Sequence, residues 1–305
     1  MLCFVLIIPQ STMHLNAELH ALFSLIDDPD EEIFHLISKK IVTYGREVIP
    51  CLEDLSEETA DGKIQRRIAE IIRKVQFDSL ISEIQLWNAE NTHDLLTGSH
   101  LVASYSYPHL SLDELRTSVA QLKKEIWLET NDFLTSLETA TLVSKILFQF
   151  QKIRSEHNNY QHLEHFCLHS ILEKKKGNAL STSILYQHLC EALEIPIQLI
   201  SVPDQHILAC FQRSFFQKPE GHAYQAQILF YIDATSGKLY SQYDLDKYFE
   251  AYHIPKKDSY FQPLSHQMII ANMATEVGKC YLSKRDLDRK KDLDKIAALL
   301  NQPQK

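Results

Sequence analysis

The sequence predicts an α+β protein: a helical N-terminal cap, a core with a small antiparallel sheet, and a C-terminal helical hairpin. Three observations predict it. Only 7 glycines occur in 305 residues, which favours helix over turn-rich β structure. Apolar residues recur at helical spacing from Leu15 to Trp87 and again from Met268 to Leu300. Between them, two β-branched apolar runs, Ile197 to Val202 and His206 to Phe211, follow a buried helix and have the content of strands.

Length and composition bound the rest. Domains of ~100–200 residues give about two for a chain of this size. We divide it into a tail at 1–14, a helical cap at 15–92, a core domain at 93–254 and the hairpin at 264–305. A hydrophobic content of 45% and a charged content of 23% are those of an ordinary globular protein. The formal net charge of −9 argues against nucleic acid, because phosphate neutralisation needs surplus Lys and Arg. No run reaches the ~18–20 apolar residues of a membrane span. Neither nucleic acid nor membrane is therefore expected as a partner. The six cysteines at 3, 51, 167, 190, 210 and 280 form no C-x-x-C pair, which points to reduced thiols and a cytoplasmic location. MLCFVLIIP at the start lacks a basic n-region and a cleavage site, so a start at Met13 is preferred over export.

In chain order, DDPDEEIFHLISKKIVTYG opens with acidic residues suited to a helix N-terminus and closes on Gly45 as a C-cap. REVIPCLEDL and the run from Lys63 to Trp87 continue the helical series. The order of Asp28-Pro29-Asp30, helix, glycine and V-I-P resembles one unit of a HEAT-type solenoid, present once. Three more helical patterns lie between Asn91 and Ile153, broken near Tyr107-Pro108 and Asn131-Asp132. A loop then ends at Gly177. Leu185, Leu189 and Leu193 mark a buried helix with Ser181, Thr182 and Ser183 in its first turn, where hydroxyls meet unpaired N–H groups. Ile195-Pro196 ends it, since a residue before proline avoids the α region. After Asp233, Thr235-Ser236-Gly237 makes a turn, DLDKYFEAY a helix, and Pro255 to Pro263 a linker. Two packed helices joined near Ser283-Lys284 complete the chain.

The stretch from about Leu95 to Phe249 resembles the transglutaminase-like, papain-type cysteine superfamily, on landmarks that run from Asn159 to Asp233. The closest likeness is to a bacterial branch with a tetratricopeptide-type tail, matched at Asn159, Tyr160, Lys175, Lys176, Gly177, Ser181, Ile195, Pro196, Pro203 and His206. The resemblance implies a general base at His206, oriented by Asp233. It implies a cleft in which Asn159, Tyr160, Gly177, Asn178 and Ser181 contribute to binding. Active members place a cysteine two residues after the glycine, at the helix N-terminus, where the dipole lowers its pKa. Here that residue is Ala179. The bacterial branch usually has proline there and lacks the thiol as well. A small Gly278 before Tyr281 resembles the tail's helical hairpin.

Each candidate has a plainer reading. Cys190 lies ~16 Å along the helix from Ala179, too far to replace the thiol, and reads as core. Cys210 is four residues along the strand from His206, ~13 Å away, and reads the same way. Ser181 and Ser183 could attack by position, but capping is the commoner role. Asp233 opens a Thr-Ser-Gly turn, which is ordinary Asx chemistry. His162, His165 and His169 fall at i, i+3, i+7 of a presumed helix and could gather on one face, with Glu173 one turn on. A solvated face is preferred, and no metal or cofactor is expected. Glu173-Lys174-Lys175-Lys176 reads as a basic helix end. The expected function is a non-catalytic peptide- or protein-binding module. The alternative is a hydrolase of amide or ester bonds in which His206 and Asp233 activate water.

Overall fold

The computed structural model describes residues 18–90, 93–156, 160–203, 205–216 and 223–302. The tail at 1–14, the start at Met13 and the candidate binding residue Asn159 lie outside the described residues. The chain forms two compact units, the first ending at Glu83 and the second beginning at Ile84.

The first unit is helical among its described residues. It contains α1 (Glu31–Val42), a 3₁₀ turn (Gly45–Val48), α2 (Ile49–Glu58) and α3 (Gly62–Ala89) as far as Glu83. Asp30 caps α1 by accepting the Glu32 N–H, and Glu31, Glu32, Lys39 and Lys40 match the helix dipole at its two ends. Gly45 does take the left-handed conformation, at φ 67°. It is not the C-cap expected above, because α1 has already closed at Thr43 and the glycine opens the 3₁₀ turn. Ile26, Phe34, Ile41, Leu52, Ile68 and Ile71 meet in one core. Arg67 is buried beside it. Its guanidinium donates to the carbonyls of Ile26 (2.7 Å) and Asp28 (2.5 Å) and to the Glu31 carboxylate (2.6 Å).

The second unit is mostly helical with two small sheets. Its further helices are α4 (Leu95–Ser104), α5 (Leu112–Glu129), α6 (Ser136–Ser144), α7 (Leu168–Lys174), α8 (Ala179–Ala192), α9 (Gln242–Ala251), α10 (His266–Ser283) and α11 (Leu287–Leu300). A π-helical turn, Lys145–Phe150, continues α6. The short strands β1 (Arg154–Glu156) and β2 (Lys176–Asn178) pair in parallel. The main sheet is antiparallel, with β3 (Ile197–Val202), β4 (Gln205–Phe211), β5 (Ile228–Ile232) and β6 (Leu239–Tyr240) in sequence order. One face carries Ile200, Val202, Ala209, Phe211 and Tyr231 against Leu245, Phe249 and Phe261. The alternate positions, Leu199, Leu208 and Cys210, belong to the other face, on the side of α8. The free edge at β3 is bonded in its middle. The Leu199 N–H donates to Gln187 Oε1 at 2.7 Å, and the Leu199 carbonyl accepts from the Leu264 N–H at 2.9 Å.

Helices α10 and α11 pack together, with Leu293 facing Gly278, and the Tyr105 hydroxyl donates to buried Asp292 at 2.7 Å. Gly278 is not demanded by this packing, since an added Cβ would come no closer than 3.7 Å to Leu293 or Lys290. By contrast, a Cβ at Gly98 would fall 2.8 Å from both Ile270 and Trp87, so α4 approaches that close only because residue 98 lacks one.

Where α8 ends, Glu191 accepts from Gln187, Gln198 and His266. His266 Nε2 lies 2.9 Å from Glu191 Oε1, while Nδ1 bonds the His93 carbonyl. Both partners only accept, so both ring nitrogens must carry protons and His266 is an imidazolium. Burial alone would lower its pKa, but the Glu191 bond and charge with the His93 carbonyl outweigh it and raise the pKa. Burial likewise opposes the charge on Glu191, yet His266 and the two glutamines hold its pKa down. The signs set a pH window. His266 contributes stability that is complete below the unfolded value near 6.5 and lost as pH rises through its raised folded pKa. Glu191 contributes above 4.5, and that contribution is lost as pH falls through its lowered folded pKa. Urea unfolding across pH should show a mildly alkaline loss of stability that His266→Gln abolishes. An unchanged alkaline limb in that variant would remove the imidazolium from the account.

Candidate functional site

The site predicted from sequence centres on the start of α8. Ala179 is its first residue, half-buried, and Asn178 is its N-cap. Asn178 Oδ1 accepts the Ser181 N–H at 2.9 Å, and Ser181 Oγ accepts the Asn178 N–H at 3.1 Å, closing a capping box. The same Ser181 hydroxyl donates to the His165 carbonyl at 2.7 Å. Ser183 Oγ donates back to the Ala179 carbonyl at 2.7 Å. Both hydroxyls are thus committed to the backbone, in the capping role rather than that of a nucleophile.

Gly177 lies in β2 opposite Ser155 of β1. A Cβ there would fall 2.7 Å from Ile171 Cγ1 and 3.0 Å from Thr182 Oγ1, so only glycine fits between α7 and α8. Around it sit three buried polar atoms without a partner among the described residues: Ser155 Oγ, Asn178 Nδ2 and Thr182 Oγ1. Such atoms cost ~1–3 kcal/mol each when left unmade, and a bound polar group would recover that cost.

His206 stands on β4 opposite Ser201, on the face of Leu208 and Cys210 and therefore on the side of α8. Its Nδ1 is buried with no hydrogen-bond partner among the described residues. Burial lowers its pKa, so the ring is neutral; the Glu276 carboxylate opposes that shift and the Lys279 ammonium adds to it. The expected His206–Asp233 pair does not form. Both Asp233 oxygens are taken by its own turn: Oδ1 accepts from the Thr235 N–H and hydroxyl at 2.7 Å each, and Oδ2 from the Ser236 hydroxyl at 2.7 Å. Register explains the miss. Leu208 pairs with Ile232, so the position facing His206 two residues along is Ala234, and Asp233 alternates to the opposite face.

What the sequence did not reveal is the charge group near His206. Glu276 and Lys279 lie on α10, one turn apart, with Lys279 Nζ 2.7 Å from Glu276 Oε1. The Tyr160 hydroxyl donates to Glu276 Oε2 at 2.7 Å, its carbonyl accepts from Ser283 Oγ at 3.1 Å, and its ring stacks on Phe166. Tyr160 and His206 are therefore linked through α10. No local motif could have shown this, because Tyr160 and Glu276 are 116 residues apart.

The stretch of sequence that carries both Ala179 and His206 is one that a family model matches. The model of the transglutaminase-like superfamily matches residues 113–275, more than half of the chain. The chain belongs to the transglutaminase-like superfamily. No curated protein and no solved structure matches it. The match begins within α5 and ends within α10, so the α8 helix, the main sheet and Tyr160 fall inside the transglutaminase-like domain, and Glu276 is the first residue beyond it.

The remaining thiols and histidines separate clearly. Cys190 and Cys210 are fully buried. Burial raises the Cys190 thiol well above its ordinary pKa and pushes Cys210 up to about 12, so neither supplies a thiolate. The stripe of His162, His165 and His169 is broken. Cys167 is extended and separates a 3₁₀ turn, Leu163–Phe166, from α7. His169 turns away to the Ser111 carbonyl at 3.0 Å, while His162 and His165 stay together. In the lysine run, Lys175 takes a left-handed cap at φ 60° and its ammonium donates to Gln151 at 3.0 Å. Among the described residues no helix is long and apolar enough to cross a membrane.

Proposed function

We propose that this transglutaminase-like domain is a pseudoenzyme of the cytoplasm, a peptide- or protein-binding module built on a site that has lost its nucleophile. The observation that carries the proposal is Ala179 as the first residue of α8, the place where active members of the superfamily hold their thiol. A methyl group there can attack nothing. The fully buried thiols of Cys190 and Cys210 do not substitute for it. The unpartnered Ser155, Asn178 and Thr182 atoms suit the amide or acyl group of an extended peptide. The helical first unit and the α10–α11 pair fit the reading of a bacterial branch with HEAT-like and tetratricopeptide-like flanks that recruit protein partners.

Peptides presenting glutamine or a small acyl group should bind without turnover, as read by fluorescence anisotropy and mass spectrometry of the recovered peptide. Ser155→Ala and Thr182→Val should each weaken binding by up to about tenfold, equal to ~1.4 kcal/mol. The competing reading is a hydrolase in which His206 activates water. Its neutral ring favours that reading, but Asp233 bonds its own turn instead of orienting the ring. Hydrolysis of amide or thioester probes that His206→Ala abolishes would replace the binding module with the hydrolase.

A further inference from the structure

The 3₁₀ turn before α7 gathers a second set of side chains that the site above does not use. His162 caps the turn Leu163–Phe166, and the His165 N–H donates to the His162 carbonyl at 3.1 Å. In a 3₁₀ turn, side chains three apart eclipse. The His162 and His165 rings accordingly stack with centroids 4.9 Å apart and planes 24° apart. Glu164 lies between them in sequence and swings to the same side, with Oε1 3.8 Å from His162 Nδ1. Ligand atoms of all three residues lie within 4.8 Å of one another. His165 is only 6% exposed, and its Nδ1 is buried without a hydrogen-bond partner among the described residues. An imidazole held in that state within reach of a second imidazole and a carboxylate carries the donor set of a zinc-class ion.

We propose that His162, Glu164 and His165 bind one divalent cation of the zinc class. Two neutral imidazoles and one carboxylate match the N and O donors such ions prefer, with distances near 2.0–2.2 Å. Tetrahedral ligands at that distance stand about 3.3 Å apart, so the set must close by a little over an ångström. His162 and Glu164, with side chains 48% and 41% exposed, supply that movement by rotamer change, whereas buried His165 stays fixed. The fourth position falls to water or to Glu156, the other carboxylate whose charge acts on His165. Binding would do more than fill a loop. The His165 carbonyl accepts from Ser181, and Phe166 stacks on Tyr160. An ion here would therefore tie the Tyr160 segment to the cap of α8. This inference does not depend on the peptide-binding reading.

The test is zinc titration of the full chain, freed of any histidine tag, against a chromophoric chelator, with Co2+ absorption reporting coordination geometry. One equivalent should bind, and Co2+ should give the intense visible bands of a tetrahedral site. His162→Ala and Glu164→Gln, both at exposed positions where folding is not at risk, should each weaken zinc by at least the 10–100-fold that loss of even a supporting residue costs at a metal site. His165→Gln should do the same, with circular dichroism checking its fold. His169→Gln, in the neighbouring helix, should leave affinity unchanged. Saturable zinc binding that survives the double change His162→Ala with Glu164→Gln would overturn the assignment. Absence of any saturable binding by the folded wild-type chain would overturn it equally.

Discussion

Replacing Gly237 by alanine should lower the stability of the second unit by ~2–5 kcal/mol. Two independent effects add. Gly237 sits at φ 71°, and an L-residue in the left-handed region costs ~1–2 kcal/mol. Its Cβ would also fall 2.5 Å from Phe148 Cδ2 and 2.8 Å from Ser144 Cβ, and overpacking of this kind costs ~1–3 kcal/mol. Relief is difficult because Ser144 Cβ is carried by the backbone of α6 and cannot rotate away. The turn that would distort is the one whose amides and hydroxyls hold Asp233, so its three side-chain bonds are lost together. Gly278→Ala is the matched comparison. Its Cβ meets only ordinary contacts at 3.7 Å in mid-helix, and the change should stabilise by up to ~1 kcal/mol through helix propensity. Thermal unfolding should move the two variants in opposite directions. Similar shifts for both would mean that neither the dihedral nor Phe148 constrains residue 237.

Arg67→Met should be the most damaging single change in the first unit, at ~2–5 kcal/mol. Methionine keeps the apolar stem but orphans the carbonyls of Ile26 and Asp28, both now bonded to one guanidinium nitrogen. The buried Ile26 acceptor costs ~1–3 kcal/mol when orphaned, and the half-buried Asp28 carbonyl, which water can reach, less. The stack of the guanidinium on the Phe34 ring, 4.4 Å to the centroid, disappears as well and is worth ~0.5–2 kcal/mol. Glu31 adds little, because its side chain is 73% exposed and returns to water. Lysine should not rescue the variant, since an ammonium cannot reproduce the planar fork and the stack together. Hydrogen exchange of α1 amides reads the effect. Near-native protection in Arg67→Met, with Glu31→Gln equally harmless, would show that the buried guanidinium is dispensable.

Much of the architecture was legible because its signals are local. The residues from Ile197 to Val202 and from Ala179 through Ala192 announce strand and helix by composition and period alone, and they form β3 and α8. The pair β1 and β2 was read as loop. Three-residue strands rich in charge, with their partners 22 positions away, carry no period to detect. The histidine stripe failed for a different reason. Helical spacing was extended through Cys167, whose extended backbone interrupts it, although the same pattern correctly brought His162 and His165 together. At the candidate site, Gly177 and Ala179 fall at the start of α8 and His206 on β4, whereas Asp233 bonds its own turn and not the His206 ring. One position of strand register decides which face a side chain takes, and register is set by the whole sheet rather than by the LFYIDATSG segment. The group of Glu276, Lys279 and Tyr160 was invisible because only tertiary packing brings α10 to it.

The bonds at the middle of β3 bear on how a peptide can be held. Many peptide-recognition domains take their ligand as one more strand, offering a row of free backbone donors and acceptors along a sheet margin. Here one margin is already occupied by Gln187 on one side of the Leu199 peptide and by Leu264 on the other. The opposite margin is β6, only two residues long. Neither offers the run of main-chain partners that strand addition requires. On the proposed binding reading, a peptide would be recognised by its side chains and terminal groups at the start of α8. The same blunted margins of the main sheet leave neighbouring copies little template on which to pair with it.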